Sequence, residues 1–138
     1  MKPYKIGYTT GVFDLFHVGH LNIIKNAKQQ CDFLIVGVST DELVMKYKNK
    51  WPVIPQSDRM SIVQSLKYVD KVVQQTSRDK FLAWEYLKFD VMFVGDDWKG
   101  DPLFVEMEKK FDMVGVEIIY FPYTQGVSST MVKQKITT

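Results

Sequence analysis

Apolar runs too short to be helices alternate with longer segments whose apolar residues fall at helical spacing. Residues 6–9 read as a first strand, and Leu21, Ile23, Ile24 and Ala27 give the following segment an apolar face. Residues 33–38 form a continuous apolar run, Phe33-Leu34-Ile35-Val36-Gly37-Val38, of the kind that suits a strand buried on both faces. Ser39-Thr40-Asp41-Glu42 then offers a cap and an acidic first turn for a second helix. From 46 to 56 the text turns basic and proline-bearing and reads as an exposed loop. A helix restarts at Ser57 or Asp58 and runs through Ile62, Val63 and Leu66, followed by a short strand at 71–73 and a helix at 78–88. Residues 90–94 form another buried strand, and 102–111 a helix with Pro102 in its first turn. The last strand falls at 116–120 and the last helix at 128–136.

This alternation implies one α/β domain over 1–138. Its expected architecture is a Rossmann-like, doubly wound parallel sheet of about five strands with helices on both faces. Ligands of such sheets sit beyond the carboxyl ends of the strands. Three unusual phrases, at 11–20, 95–100 and 124–130, fall there.

Composition narrows the function classes. Apolar residues make up 46% of the 138 and charged residues 25%, ordinary values for a globular protein able to bury a core. The single cysteine, Cys31, cannot form an internal disulfide, which suits a reducing cytoplasm, and a metal site built on cysteines is excluded. No apolar run is long enough to span a membrane and no leader precedes Tyr4, so neither secretion nor membrane insertion is expected. A net charge of +2 does not argue for a nucleic-acid partner, and the lysines matter locally or not at all.

The chain's two histidines, His17 and His20, both lie in one phrase, Gly11-Val12-Phe13-Asp14-Leu15-Phe16-His17-Val18-Gly19-His20, at a strand-to-helix turn. A helix start leaves backbone N–H groups unpaired and carries positive partial charge, so it attracts phosphate. Two imidazoles three residues apart share one face of a first turn and can serve the same anion. Gly19 between them has no Cβ and permits close approach of a phosphate to the backbone.

These residues carry a resemblance. The His17-Val18-Gly19-His20 phrase resembles the His-x-Gly-His signature of the cytidylyltransferases within the nucleotidyltransferase superfamily. Thr124-Gln125-Gly126-Val127-Ser128-Ser129-Thr130 is similar to their second signature, Arg-Thr-Glu-Gly-Ile-Ser-Thr-Thr. Gly95-Asp96-Asp97-Trp98-Lys99-Gly100 resembles a segment of bacterial glycerol-3-phosphate cytidylyltransferases. The likeness runs from about Ile6 to Ile136 with matching order and nearly matching spacing.

The resemblance implies transfer of a cytidylyl group from CTP to a small phosphorylated alcohol, foremost glycerol 3-phosphate, with Mg²⁺ required and a homodimer as the assembly. His17 and His20 would hold the α- and β-phosphates. The backbone of Thr10, Gly11, Val12 and Phe13 would line the nucleotide, while Asp14 either orients a phosphate-binding group or fixes the turn. Gly126, Val127, Ser128, Ser129 and Thr130, with Tyr123 and Thr124 before them, would present N–H groups and hydroxyls to the triphosphate, or merely cap the last helix. Asp97, after Gly95, is the candidate for cytosine's exocyclic amine, and Trp98 for the acceptor pocket. Carboxylates after a strand are also a metal-site pattern, although the ion is expected to ride on the CTP phosphates.

Among the basic residues, Arg59 matches a family arginine expected near the acceptor phosphate or the triphosphate. Lys67 stands where relatives carry arginine before Tyr-Val-Asp, and Lys46, Lys48 or Lys50 falls where relatives supply phosphate-binding lysines; Lys48 is the first choice and Lys46 the second. One departure stands out: Tyr123 replaces the leading arginine of the second signature, so either another lysine compensates or the triphosphate is held differently. Three readings compete with glycerol 3-phosphate: phosphocholine or phosphoethanolamine as acceptor, adenylyl transfer, and a nucleotide-binding module without catalysis.

Overall fold

A computed structural model describes residues 2–122 and 128–137. Five parallel strands are ordered β3-β2-β1-β4-β5: β1 Tyr4–Gly11, β2 Cys31–Ser39, β3 Lys71–Gln75, β4 Val91–Gly95 and β5 Glu117–Phe121. The order runs outward from β1 through β2 to β3, then restarts on β1's other side with β4 and β5. That reversal opens a crevice at the carboxyl ends of β1 and β4.

Helices cover both faces. On one, α1 (Val18–Gln30) and α3 (Gln56–Gln64) bury Ile24, Ala27 and Val63 against Leu34, Val36 and Phe93. On the other, α4 (Lys80–Leu87) and α5 (Pro102–Met113) pack Phe81, Phe104, Met107 and Phe111 against Tyr8, Ile35 and Met92. Two further helices, α2 (Asp41–Lys48) and α6 (Ser129–Thr137), stand beside the carboxyl edge. Gly37 is required in β2, because a Cβ there would fall 2.1 Å from the Tyr8 hydroxyl on the adjacent strand.

The alternation of elements expected from the sequence is present, with local differences. β2 begins at Cys31, and Phe33, near its start, is 40% exposed while Leu34 onward is buried. The basic stretch after Lys46 is not all loop: α2 continues to Lys48, with its first turn capped by the Thr40 hydroxyl. Asp96–Trp98 form a 3-10 turn that no apolar period could signal.

Candidate active site

The end of β1 turns into α1 through a left-handed backbone at Phe13 (φ 55°) and Leu15 (φ 48°), a conformation that costs non-glycine residues energy. Asp14, between them, locks this turn: its carboxylate accepts from the N–H groups of Val53 and Ile54 at 2.8 and 2.9 Å. The Asp14 carbonyl in turn accepts from the Ser129 hydroxyl at 2.6 Å. One residue therefore joins three segments of the crevice wall. Of the two roles open to Asp14 from sequence, the geometry displays the fixing of the turn.

His17 is the N-cap of α1 and His20 is three residues in. The Gly19 N–H donates to His17 Nδ1 at 3.0 Å, and the His17 N–H to His20 Nδ1 at 3.2 Å. Because each Nδ1 is an acceptor, each neutral ring carries its proton on Nε2, the nitrogen left for a ligand. The rings stack with centroids 3.9 Å apart. Burial lowers the pKa of His17; burial first, then His17's charge, pulls His20 down to about 4 against the opposing pull of Asp14. Both imidazoles are thus neutral Nε2–H donors at pH 7. Gly19's N–H donates to His17, and Gly19 is not among the residues that line the cavity described next.

A cavity of about 400 Å³ lies beyond the carboxyl ends. It brings together Thr10, Gly11, Val12, Phe13, Asp14 and His20 with Gly95, Asp97 and Trp98 from the end of β4, and with Ser129 and Thr130 from α6. Gly95 lets the Asp97 carboxylate fold back over the end of β4, where a Cβ would lie 2.7 Å from its oxygen and push the side chain aside. Ser128 accepts from the Met131 N–H and caps α6. Tyr123, Thr124, Gly126 and Val127 lie outside the described residues.

The basic residues sort differently from expectation. Lys48 and Lys50 line the cavity; Lys46 does not, and its side chain is exposed on α2. Burial, with Lys50 next, lowers the pKa of Lys48, while Asp14 opposes them. Arg59 is a correction. Its guanidinium is fully buried and donates to the carbonyls of Ile54, Val12 and Ser39 at 2.7–2.8 Å and to Asp41 at 2.5 Å. Four of its five N–H groups are taken, so it holds the crevice walls together and is unavailable to a phosphate. Lys67 is a second correction. It follows α3, which returns the chain to the amino ends of the strands, and it lies exposed at the far edge from the cavity.

Three cations missed in the sequence line the cavity: Arg78, Lys80 and Lys133. Arg78 and Lys80 immediately follow β3, and the loop after a parallel strand is where ligand-contacting groups of this fold are placed. That position was the available signal. Among the described residues the lining holds five Lys or Arg side chains and two carboxylates, Asp14 and Asp97, so the cavity suits an anion.

A parallel α/β sheet with paired neutral imidazoles and converging cations beyond its switch point belongs to a class of phosphate-handling folds. The chain belongs to the cytidylyltransferase-like family, whose model matches residues 8–135. Glycerol-3-phosphate cytidylyltransferase of Bacillus subtilis (strain 168) is 35% identical over 137 residues, covering 93% of this chain and 94% of the relative. FAD synthase of Pyrococcus abyssi is 38% identical over 114 residues, covering 82% and 77%. Among solved structures, the lipopolysaccharide core biosynthesis protein from Thermoplasma volcanium GSS1 superposes with a TM-score of 0.72 at 26% identity, covering 88% of this chain and 97% of that one.

Proposed function

We propose that the chain transfers CMP from CTP to glycerol 3-phosphate, giving CDP-glycerol and pyrophosphate. The observation that carries this reading is the relatedness to the Bacillus subtilis enzyme along nearly the whole of both chains. An oxygen of the acceptor phosphate forms a bond to the α-phosphorus of CTP. The bond from that phosphorus to the bridging oxygen breaks, and its electron pair leaves with pyrophosphate. The protein's part is positioning and stabilisation of charge on the phosphoryl oxygens. His17 and His20 donate from Nε2 to those oxygens, and these hydrogen bonds strengthen as negative charge spreads. Ser129 and Thr130, at the start of α6, add first-turn N–H groups, and Lys48 adds positive charge. Asp97 accepts from the exocyclic amine of cytosine, which uracil lacks.

Magnesium belongs to the proposal as part of the substrate. No group of three or more His, Cys, Asp or Glu side chains able to hold an ion occurs among the described residues, and Asp14's carboxylate is engaged by two backbone N–H groups. That donor set fits an ion arriving on the phosphates of CTP, where it neutralises charge, in keeping with the preference of Mg²⁺ for substrate phosphates over protein cages. A homodimer and a cytoplasmic location also belong to the proposal; no helix among the described residues is long and apolar enough to cross a membrane.

A second reading, ATP in place of CTP, is favoured by the 38% identity to the FAD synthase. Pyrophosphate release with each nucleotide, against glycerol 3-phosphate, phosphocholine and phosphoethanolamine separately, decides between them. Release with CTP and glycerol 3-phosphate is expected, and His17→Ala is expected to reduce kcat about 10²- to 10³-fold. Binding of CTP without release under every acceptor would replace the enzyme by a non-catalytic nucleotide-binding module.

A further inference from the structure

Tyr8 is fully buried in the middle of β1, with its ring stacked on Phe89 at 4.8 Å between centroids. Its hydroxyl crosses β2 over Gly37 and donates to Gln75 Oε1 at the end of β3, two strands away. Gln75 is itself 4% exposed, and its Nε2 donates to the Ser77 carbonyl in the connection from β3 to α4. The bonds continue along that connection: the Asp79 N–H donates to Ser77 Oγ at 3.1 Å, and the Phe81 N–H to Asp79 Oδ1 at 3.0 Å. Among the described residues, 76–79 make no hydrogen bond from backbone to backbone. Side-chain hydrogen bonds therefore set the course of the segment that brings Arg78 and Lys80 to the cavity.

The polarity of this chain of bonds is fixed. A carbonyl only accepts, so Gln75 turns its amide nitrogen to Ser77 and its oxygen to Tyr8, which then has to donate. Burial pushes the Tyr8 pKa up, with Thr10 opposing, and the phenol keeps its proton at physiological pH. A buried phenol bonded to a buried amide adds little net stability, since each gives up water to meet the other, and an apolar pair of the same shape would serve the core as well. The chain nonetheless gives up a side chain at Gly37, inside β2, to make room for the hydroxyl. What the pair supplies is orientation: it holds the Ser77 carbonyl, and with it the direction in which the next residues leave the sheet.

We propose that Tyr8 and Gln75 are positioning residues for the reaction, holding the β3–α4 connection in the course that lines the cavity. Neither residue lines the cavity itself, and both act through the connection. The proposal rests on the CMP-transfer reading for its kinetic readout alone.

The test is the double variant Tyr8→Phe with Gln75→Met, which removes both polar groups and nearly keeps the volume. Its Tm is expected to stay within about 3 °C of the parent, whereas Gln75→Met alone, which strands the Tyr8 hydroxyl, should melt lower by about 4 °C or more. In the double variant kcat/KM for pyrophosphate release should fall about tenfold, and in the milder Tyr8→Phe about threefold. The amide hydrogen of Asp79 should exchange about tenfold faster in the double variant, with those of β1 and β4 unchanged. Added to Lys80→Met, the two changes should cost less than about twofold more, because their effect passes through the segment that carries Lys80. Full activity of the double variant at the parent's Tm would overturn the proposal, and so would an undiminished tenfold loss on top of Lys80→Met. A double variant that melts far below the parent, with Tyr8→Phe fully active, would make the pair a feature of the core only and sink the positioning role. No turnover by the parent with any nucleotide, while Asp79 exchange still depends on the pair, would overturn the reaction and leave the tether standing.

Discussion

At the amino edge of the sheet, carboxylates latch the starts of strands. Asp90 accepts from the N–H groups of Lys5 and Ile6, and Asp70 from the Leu34 N–H and the Lys28 ammonium. At the carboxyl edge Arg78 and Lys80 line the cavity with no such partner among the described residues. The same α/β frame uses charge to close one end and leaves it uncompensated at the other. Paired charge stabilises the fold, whereas unpaired charge is available to a ligand and weakens the empty protein. Arg59 is the informative exception, since it stands at the ligand end but is wired like the closed end.

Removing Arg59 tests that exception and should have the largest effect. Arg59→Met strands the Val12, Ser39 and Ile54 carbonyls and the Asp41 carboxylate, and is expected to cost about 3–5 kcal/mol in urea unfolding. Lost activity at unchanged stability would return Arg59 to the phosphate site and erase the contrast with Lys80.

The next effect belongs to His20, a site residue that also caps a helix. Its folded pKa, about 4, lies below the ordinary 6.5, so between those values the unfolded chain binds more protons than the folded one. Its contribution is complete above about pH 6.5 and is lost as the pH falls toward 4, on the order of 2–3 kcal/mol in all. Denaturant unfolding across that window should show a slope that His20→Gln flattens. Equal slopes in the two proteins would show that the site end stores no such pH-dependent strain at His20.

The histidine site was legible in the sequence because its parts are contiguous: a strand, a turn and a helix start fix where His17 and His20 go. The parallel order of elements was legible for the same reason. Charges scattered along the chain were not, because residue type gives a sign but not an edge of the sheet. Lys67 follows a helix, which returns the chain to the amino edge; Arg78 and Lys80 follow a strand, which delivers it to the carboxyl edge. Arg59's burial depended on carbonyls from Val12, Ser39 and Ile54 converging in space, and no local pattern announces that. The left-handed turn at Phe13 and Leu15 was hidden too, because its support comes from Val53 and Ile54, about forty residues away.

The smallest expected effect sharpens the comparison from the closed end. Asp70 accepts from Leu34 N–H at 2.8 Å and from Lys28 Nζ at 2.7 Å, with the two side chains 32% and 21% exposed. Burial alone would raise its pKa, but the hydrogen bonds from Lys28 and Leu34 outweigh it and hold the carboxyl below 3.8. A depressed folded pKa means that the contribution is present above pH 3.8 and is lost as the pH falls through the folded value. Asp70→Asn keeps an oxygen for the Leu34 N–H and removes only the charge. Partial exposure keeps the cost to about 1 kcal/mol at neutral pH. Because the latch lies at the opposite edge from the cavity, kcat and both KM values should stay within about twofold of the parent. A shifted acceptor KM in Asp70→Asn would mean that the strands transmit strain from one edge to the other and that the two ends are not independent.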